Sequence, residues 1–267
     1  MIFLDYLGKM GQLGNQMFQY AALRGIAKHK GYDFGIPDHD ELIVDALGNR
    51  LRIELYVPFD LPYLKNKGVT SSGQVAQERF FEFDEQLFNE LPDGVSIAGY
   101  FQTEKYFSHI RDEILEDFSF KDNIMEECSS AYELCSESVA LHIRRGDFLI
   151  NSGNHHNLSL DWYEKALKEF DEDRQVVIFS DDTKWCKEQP LFASDRFLVC
   201  ETNSSYHDLH LMTKCKDFII ANSTFSWWGA WLCENENKKV VAPSVWFGPN
   251  NKHHNIKDLF PETWTVL

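Results

Sequence analysis

None of the six cysteines, at 128, 135, 186, 200, 215 and 233, lies in a C-x-x-C pair, and no run of 18 apolar residues occurs. The first absence removes the common zinc and dithiol motifs. The second leaves no transmembrane helix to expect; the most apolar stretch, 218–233, is interrupted by Asn222, Ser223, Thr224 and Ser226. The first nine residues, MIFLDYLGK, put an acid inside an apolar stretch with no basic run ahead of it. They do not read as an export signal, so reduced thiols in a cytoplasm are expected. Basic charge is scarce: 26 Lys and Arg stand against 42 Asp and Glu, a net −16. Such a field opposes sequence-independent binding to nucleic acid and docking on anionic lipid. A phosphate-bearing ligand would therefore need a local basic cluster. Neither G-x-G-x-x-G nor a Walker lysine is present, so Gly8, Gly11 and Gly14 are weak as generic motifs.

The rest of the composition is globular. Of 267 residues, 43% are apolar and 25% charged, enough for one large domain or two small ones. Aromatics reach 14%, a surplus that fills cores and also suits sugar stacking.

In the second half, short β-rich runs at 139–143, 176–180, 197–200, 218–221 and 240–243 alternate with helical stretches at 161–170, 205–215 and 225–234, with Ser159 as a cap. That alternation predicts βαβ units and a parallel sheet. The first half opens alike: a strand at 2–7, then a helix from Asn15 to Lys30 that Gly31 stops. Residues 51–64 read as loop, 74–83 and 95–101 as strands, and Thr103 as the cap of a helix to 118. The acidic stretch 128–138 is the expected linker. Two domains follow, 1–135 and 136–267.

In a parallel sheet, ligands bind beyond the carboxyl ends of the strands, and four strand ends here carry polar groups. HIRRGD at 142–147 holds the sole adjoining arginines. Alternation puts His142 and Arg144 on one face and Ile143 and Arg145 on the other, so one arginine could face phosphate oxygens while the other pairs locally, with Asp147 as one candidate. A plain ion pair at a strand end is the competing reading. ANSTFS at 221–226 offers hydroxyls and N–H groups at a helix start, an anion site or ordinary capping by Ser223 or Thr224. Asp181 and Asp182 follow a third strand and could hold a base edge, a ribose or a metal. Asn15 and Gln16 follow the first. The Arg-Gly-Asp triplet stands in the wrong context for adhesion. The doublets His155-His156 and His253-His254 point their side chains apart and are not read as metal ligands.

GQLGNQMFQYA at 11–21, GYFQTEKYF at 99–107, HIRRGD at 142–147 and STFSWWGAW at 223–231 resemble, in order, the α-1,2-fucosyltransferases of glycosyltransferase family 11. The resemblance runs from about residue 8 to 247; Phe148 stands where a tyrosine is usual, and the glycine-rich start has Gln12 and a few extra residues before it. It implies an α/β, GT-B-like fold with two Rossmann-like domains facing a cleft. It implies inverting transfer of L-fucose from GDP-β-L-fucose to the 2-hydroxyl of a β-galactoside. Arg144 and Asn15 would be catalytic, Arg144 holding the β-phosphate and Asn15 reaching the donor across the cleft. Gln16, His142, Asp181, Ser223, Thr224, Phe225 and Ser226 would bind the donor, with Asp181 near guanine. No metal or other cofactor is expected, because Arg144 and the helix start can neutralise the diphosphate. The partners would be GDP-fucose and a galactose-terminated oligosaccharide, lipid-linked in one version, in O-antigen or other surface-glycan synthesis. The expected location is cytoplasmic, with a peripheral place at the inner membrane face allowed. Glu104 and Asp5 are weak candidates for a general base, and the departing phosphate oxygen is a third. The rival readings are a non-catalytic carbohydrate- or nucleotide-binding protein on a transferase fold and an anion-handling kinase or sulfotransferase.

Overall fold

The computed structural model describes residues 1–45, 48–71 and 73–267. Contacts divide the chain into two units: Met1–Lys121 with His254–Pro261, and Asp122–His253 with Glu262–Leu267.

Unit 1 contains β1 (Ile2–Phe3), α1 (Leu13–Lys30), β2 (Phe34–Ile36), a hairpin of β3 (Ile43–Val44) and β4 (Arg50–Leu51), β5 (Asn66–Lys67), β6 (Val75–Gln77), α2 (Glu85–Glu90), β7 (Ser96–Ala98) and α3 (Arg111–Asp117). Its main sheet has the order β5-β2-β1-β7-β6, with every pairing parallel. Helix α1 is buried along most of its length, from Leu13 to Ala27. Small residues make that possible, because a Cβ on Gly25 would strike the Tyr106 carbonyl. The helix ends where expected: Gly31, at φ 68°, returns its N–H to the carbonyls of Ala27 and Lys28, a conformation glycine adopts without steric cost. Its start differs. The cap is Gln12, and Asn15 is the third helical residue. The strands are shorter than the apolar runs, and the helix expected from Thr103 is broken into two 3₁₀ turns, Glu104–Tyr106 and Ser108–Ile110, before α3.

Unit 2 contains α4 (Asp122–Cys128), α5 (Tyr132–Ser136), β8 (Val139–Ile143), α6 (Gly146–Ile150), α7 (Leu160–Leu167), β9 (Val176–Ser180), α8 (Thr183–Glu188), β10 (Phe197–Val199), α9 (Ser205–Thr213), β11 (Asp217–Ile219), α10 (Thr224–Leu232), β12 (Val240–Ala242) and β13 (Thr265–Val266). Its sheet runs β10-β9-β8-β11-β12-β13, again all parallel. The tryptophans of α10 are core: Trp227 and Trp228 are fully buried, their rings 5.0 Å apart and edge-on.

The stretch expected to link the halves is not a linker. Residues 128–138 fold as the last residue of α4, a 3₁₀ turn and α5, and they belong to unit 2. Ile124, Cys128 and Cys135 are buried; the Cys128 thiol donates to the His207 carbonyl at 3.9 Å, and Tyr132 meets His210 at 2.7 Å. Glu, Met, Ala and Leu are strong helix formers, and acidity on the outer face disguised an amphipathic pattern. The division therefore falls between Lys121 and Asp122 rather than at 135/136, and residues 254–261 return to unit 1.

Candidate functional site

In unit 2 the chain passes from β8 through β9 to β10 on one side, then returns to lay β11 and β12 on the other. The carboxyl ends of β8 and β11 thus flank a topological switch point, where an open α/β sheet leaves a crevice. The sequence puts HIRR at the first end and ANSTFS at the second, and the fold brings them together: the His142 and Phe225 rings lie 5.4 Å apart.

His142 is almost fully buried and its Nδ1 has no hydrogen-bond partner. Burial, reinforced by the Arg144 cation, lowers its pKa to about 3, so its imidazole is neutral at any working pH. Arg144 is partly exposed. Its Nη2 donates to Asp147 at 2.6 Å and its Nη1 lies 3.1 Å from Asp181. Arg145, the N-cap residue of α6 beyond the end of β8, points elsewhere: its Nε donates to Asp182 at 3.0 Å and its guanidinium lies 3.8 Å over the Trp185 ring. The pairing with Asp147 thus falls to Arg144, not Arg145. Asp181 also accepts the Arg145 N–H at 2.9 Å, so it holds both arginines instead of standing free for a base edge. Asp182 caps α8 through the Trp185 N–H at 3.1 Å, and Arg145 keeps its carboxyl below the usual range. Gly146 is dictated by this packing, since a Cβ there would lie 2.6 Å from Asp181 Oδ2.

Ser223 is the N-cap of α10 and its Oγ accepts the Phe225 N–H at 3.4 Å. Thr224 and Phe225 are half-buried at that helix start. Ser226 is not available to a ligand: it is fully buried, and its hydroxyl donates to the carbonyls of Ala221 and Ser223. Asn222 braces the turn from below through Nδ2, which donates to the carbonyls of His156 and Trp246. Phe148, in place of tyrosine, stacks on His155 at 4.1 Å and lies 5.5 Å from the Arg144 guanidinium. What residue type alone did not reveal is that Asn222 braces this turn and that Phe148 packs between His155 and Arg144.

Unit 1 has its own switch point, between β1 and β7. Asn15 Oδ1 there accepts from Gln102 Nε2 at 2.9 Å. Gly11, at φ 88°, leaves the space the Asn15 amide fills. Gln16 is fully buried and serves the backbone: Nε2 donates to the Arg52 and Gly11 carbonyls and Oε1 accepts the Glu54 N–H. It holds a loop rather than offering itself to a donor. Asp5 is engaged by Ser71, through N–H at 3.0 Å and Oγ at 2.5 Å, and Glu104 opens a 3₁₀ turn. A residue the sequence reading passed over is Glu78, just beyond β6. Burial pushes its carboxyl up to about 7, against the pull of the Phe101 and Tyr100 N–H groups. Among the described residues no group of three or more His, Cys, Asp or Glu is placed to hold a metal, and no helix is long and apolar enough to cross a membrane.

Residues 7–267 match the family model described as Glycosyl transferase family 11. The O-antigen biosynthesis glycosyltransferase WbnK of Escherichia coli is 31% identical, over 91% of this chain and 94% of that protein. An alpha-1,2-colitosyltransferase of Escherichia coli is also 31% identical, over 96% of each. Galactoside alpha-(1,2)-fucosyltransferase 2 of Pongo pygmaeus is 26% identical, over 98% of this chain and 78% of that one. Among solved structures, NodZ alpha-1,6-fucosyltransferase soaked with GDP-fucose is similar with a TM-score of 0.52 at 12% identity, covering 86% of this chain and 91% of that one. POFUT1 in complex with GDP is similar at 0.50 and 12%, covering 91% and 99%. At such identity the structural likeness speaks for the fold, the two-unit GT-B plan.

Proposed function

We propose, from the premise that this chain belongs to glycosyltransferase family 11, that it transfers L-fucose from GDP-β-L-fucose to the 2-hydroxyl of a β-galactoside. The meeting of Arg144, neutral His142 and the α10 start at one switch point carries the reading. In a strongly acidic chain, this strand-end site offers a guanidinium and helix N–H groups together.

In the reaction, the bond from fucose C1 to the β-phosphate oxygen breaks while the acceptor oxygen bonds to C1. A single displacement turns the β-linkage of the donor into an α-linkage. Negative charge grows on the leaving diphosphate, and fixed donors aimed at that charge lower the barrier. Arg144 supplies a bidentate fork and the α10 start supplies N–H groups and a favourable dipole. The acceptor proton leaves to the departing phosphate or to water. The acceptor is a galactose-terminated glycan, carried on a lipid-linked precursor in surface-glycan synthesis. The O-antigen name of one relative supports that setting.

The decisive experiment offers GDP-fucose and a panel of β-galactosides to the purified protein and identifies the linkage of the product. Formation of Fuc-α-1,2-Gal is expected. GDP binding without transfer to any acceptor would favour a binding protein on this fold. The relative named as a colitosyltransferase supports a second reading, so GDP-colitose is run beside GDP-fucose. Faster transfer from GDP-colitose would move the donor assignment.

Transfer is expected to be metal-independent. After metal stripping, excess EDTA should leave the rate unchanged, and loss of activity restored by Mn²⁺ or Mg²⁺ would remove the electrostatic account.

Asn15→Asp tests the role of unit 1. The helix cap is Gln12, and aspartate still accepts from Gln102, so the melting temperature should hold. A carboxylate in place of the amide donor repels an anionic sugar nucleotide, and transfer should fall about tenfold, the loss of one charge-assisted contact. A fully active variant would leave Asn15 with a structural role alone.

A further inference from the structure

Beyond β7 the chain makes an unusual turn. Phe101 is buried at φ 52°, a left-handed conformation that a bulky side chain adopts only when its surroundings enforce it. Three features enforce it. Glu78 Oε2 accepts the N–H groups of Tyr100 at 2.8 Å and Phe101 at 3.0 Å, and its Oε1 shares the Phe101 N–H at 3.1 Å. Gln19 Nε2 holds the Gly99 carbonyl at 3.0 Å from the other side. Gly99 itself has no room for a Cβ, which would lie 2.5 Å from that of Glu78.

The turn delivers Gln102 to Asn15 at 2.9 Å and leaves the Tyr100 ring partly exposed. Two buried amide oxygens beside it, Gln19 Oε1 and Gln102 Oε1, have no hydrogen-bond partner. Orphaned acceptors are costly in a folded protein, and they match a ligand or water that brings hydroxyl donors. Asp84 and Tyr106 stand near the Glu78 carboxyl, and Arg79 is spoken for by Asp84. Among the described residues no cation pairs with Glu78 itself, and the backbone N–H groups of Tyr100 and Phe101 are its partners.

We propose that Glu78 is a positioning residue for transfer: it holds the Gly99–Gln102 turn, and through Gln102 the Asn15 amide, in the geometry that meets the hydroxyl-rich sugar. The assignment rests on the transferase reading above, and it has one consequence that does not. Glu78→Gln keeps the size of the side chain but puts an amide donor against a backbone N–H. In the free protein, amide exchange across residues 99–102 should quicken about tenfold while the rest of unit 1 is unchanged. Exchange unaltered in that segment overturns the proposal whether or not the chain transfers fucose. If the wild type transfers nothing, the reading of the activity falls and the exchange result alone decides Glu78.

Where transfer is measured, Glu78→Gln should lower kcat about tenfold and leave acceptor KM within about threefold, because the contact works through an aligned amide. The double variant Glu78→Gln/Asn15→Asp distinguishes positioning from general loosening. If Glu78 acts through Asn15, the pair loses about as much kcat as either single change, roughly tenfold. Independent effects would multiply to about a hundredfold and overturn the link. Should Glu78→Gln fail to fold, Gln102→Leu cuts the same link with Glu78 intact, and full kcat in that variant overturns the proposal.

Discussion

Lysine at position 144 should cost the enzyme about a hundredfold or more in kcat, with the fold intact. Arg144 is held at both ends of its fork, by Asp147 at 2.6 Å and Asp181 at 3.1 Å. These contacts engage two of the five guanidinium N–H donors and leave others for phosphate oxygens, and a planar, bidentate group offers one edge to a carboxylate and another to phosphate. A lysine ammonium keeps the charge and loses that geometry. Removal of one preformed donor to developing charge typically costs 10²–10³ in turnover. The check is kcat and GDP affinity of Arg144→Lys beside the wild type. Near-normal turnover would remove Arg144 from the chemistry and leave it as a strand-end ion pair.

The largest effect on stability is expected from Asp117→Asn, far from that site. Asp117 is fully buried in unit 1 and collects the Arg24 Nε at 2.7 Å, the Tyr20 hydroxyl at 3.0 Å and the Tyr63 N–H at 3.0 Å. Burial pushes its carboxyl up, and the Arg24 guanidinium pulls it back. The substitution leaves Arg24, whose side chain is 6% exposed, with Glu113 at 2.9 Å as its remaining carboxylate. Removal of one partner from a buried pair costs about 3–5 kcal/mol. With Glu113 left in place, about 3 kcal/mol is expected, or roughly 10 °C in Tm. Urea or thermal unfolding measures it, and a change below about 1 kcal/mol would show that Glu113 alone satisfies Arg24.

Much of unit 2 was legible because its strands are continuous apolar runs bounded by polar turns. Those at 139–143 and 176–180 lie where periodicity put them, and Ser159 and Ser223 cap their helices. Unit 1 was less legible. Its strands have only two or three residues, too few to stand out from neighbouring apolar positions that serve the core without forming a ladder. The helical segment 122–136 was hidden for the opposite reason, since its polar face dominates the composition.

The sequence alone determined the α/β class, the polar groups at the strand ends and the family motifs, because each depends on local pattern or residue identity. Tertiary structure decided which polar residues remain available. Ser226 and Gln16 carry the right groups, but packing turns both onto backbone partners. Asp181 lies across from Arg144 because β8 and β9 are neighbours in register, with Ile143 opposite Ser180. Glu78 reaches residues 100 and 101 because β6 lies beside β7. Pairings between strands are set by sheet order, and the crossovers that fix sheet order leave no mark at the residues they bring together.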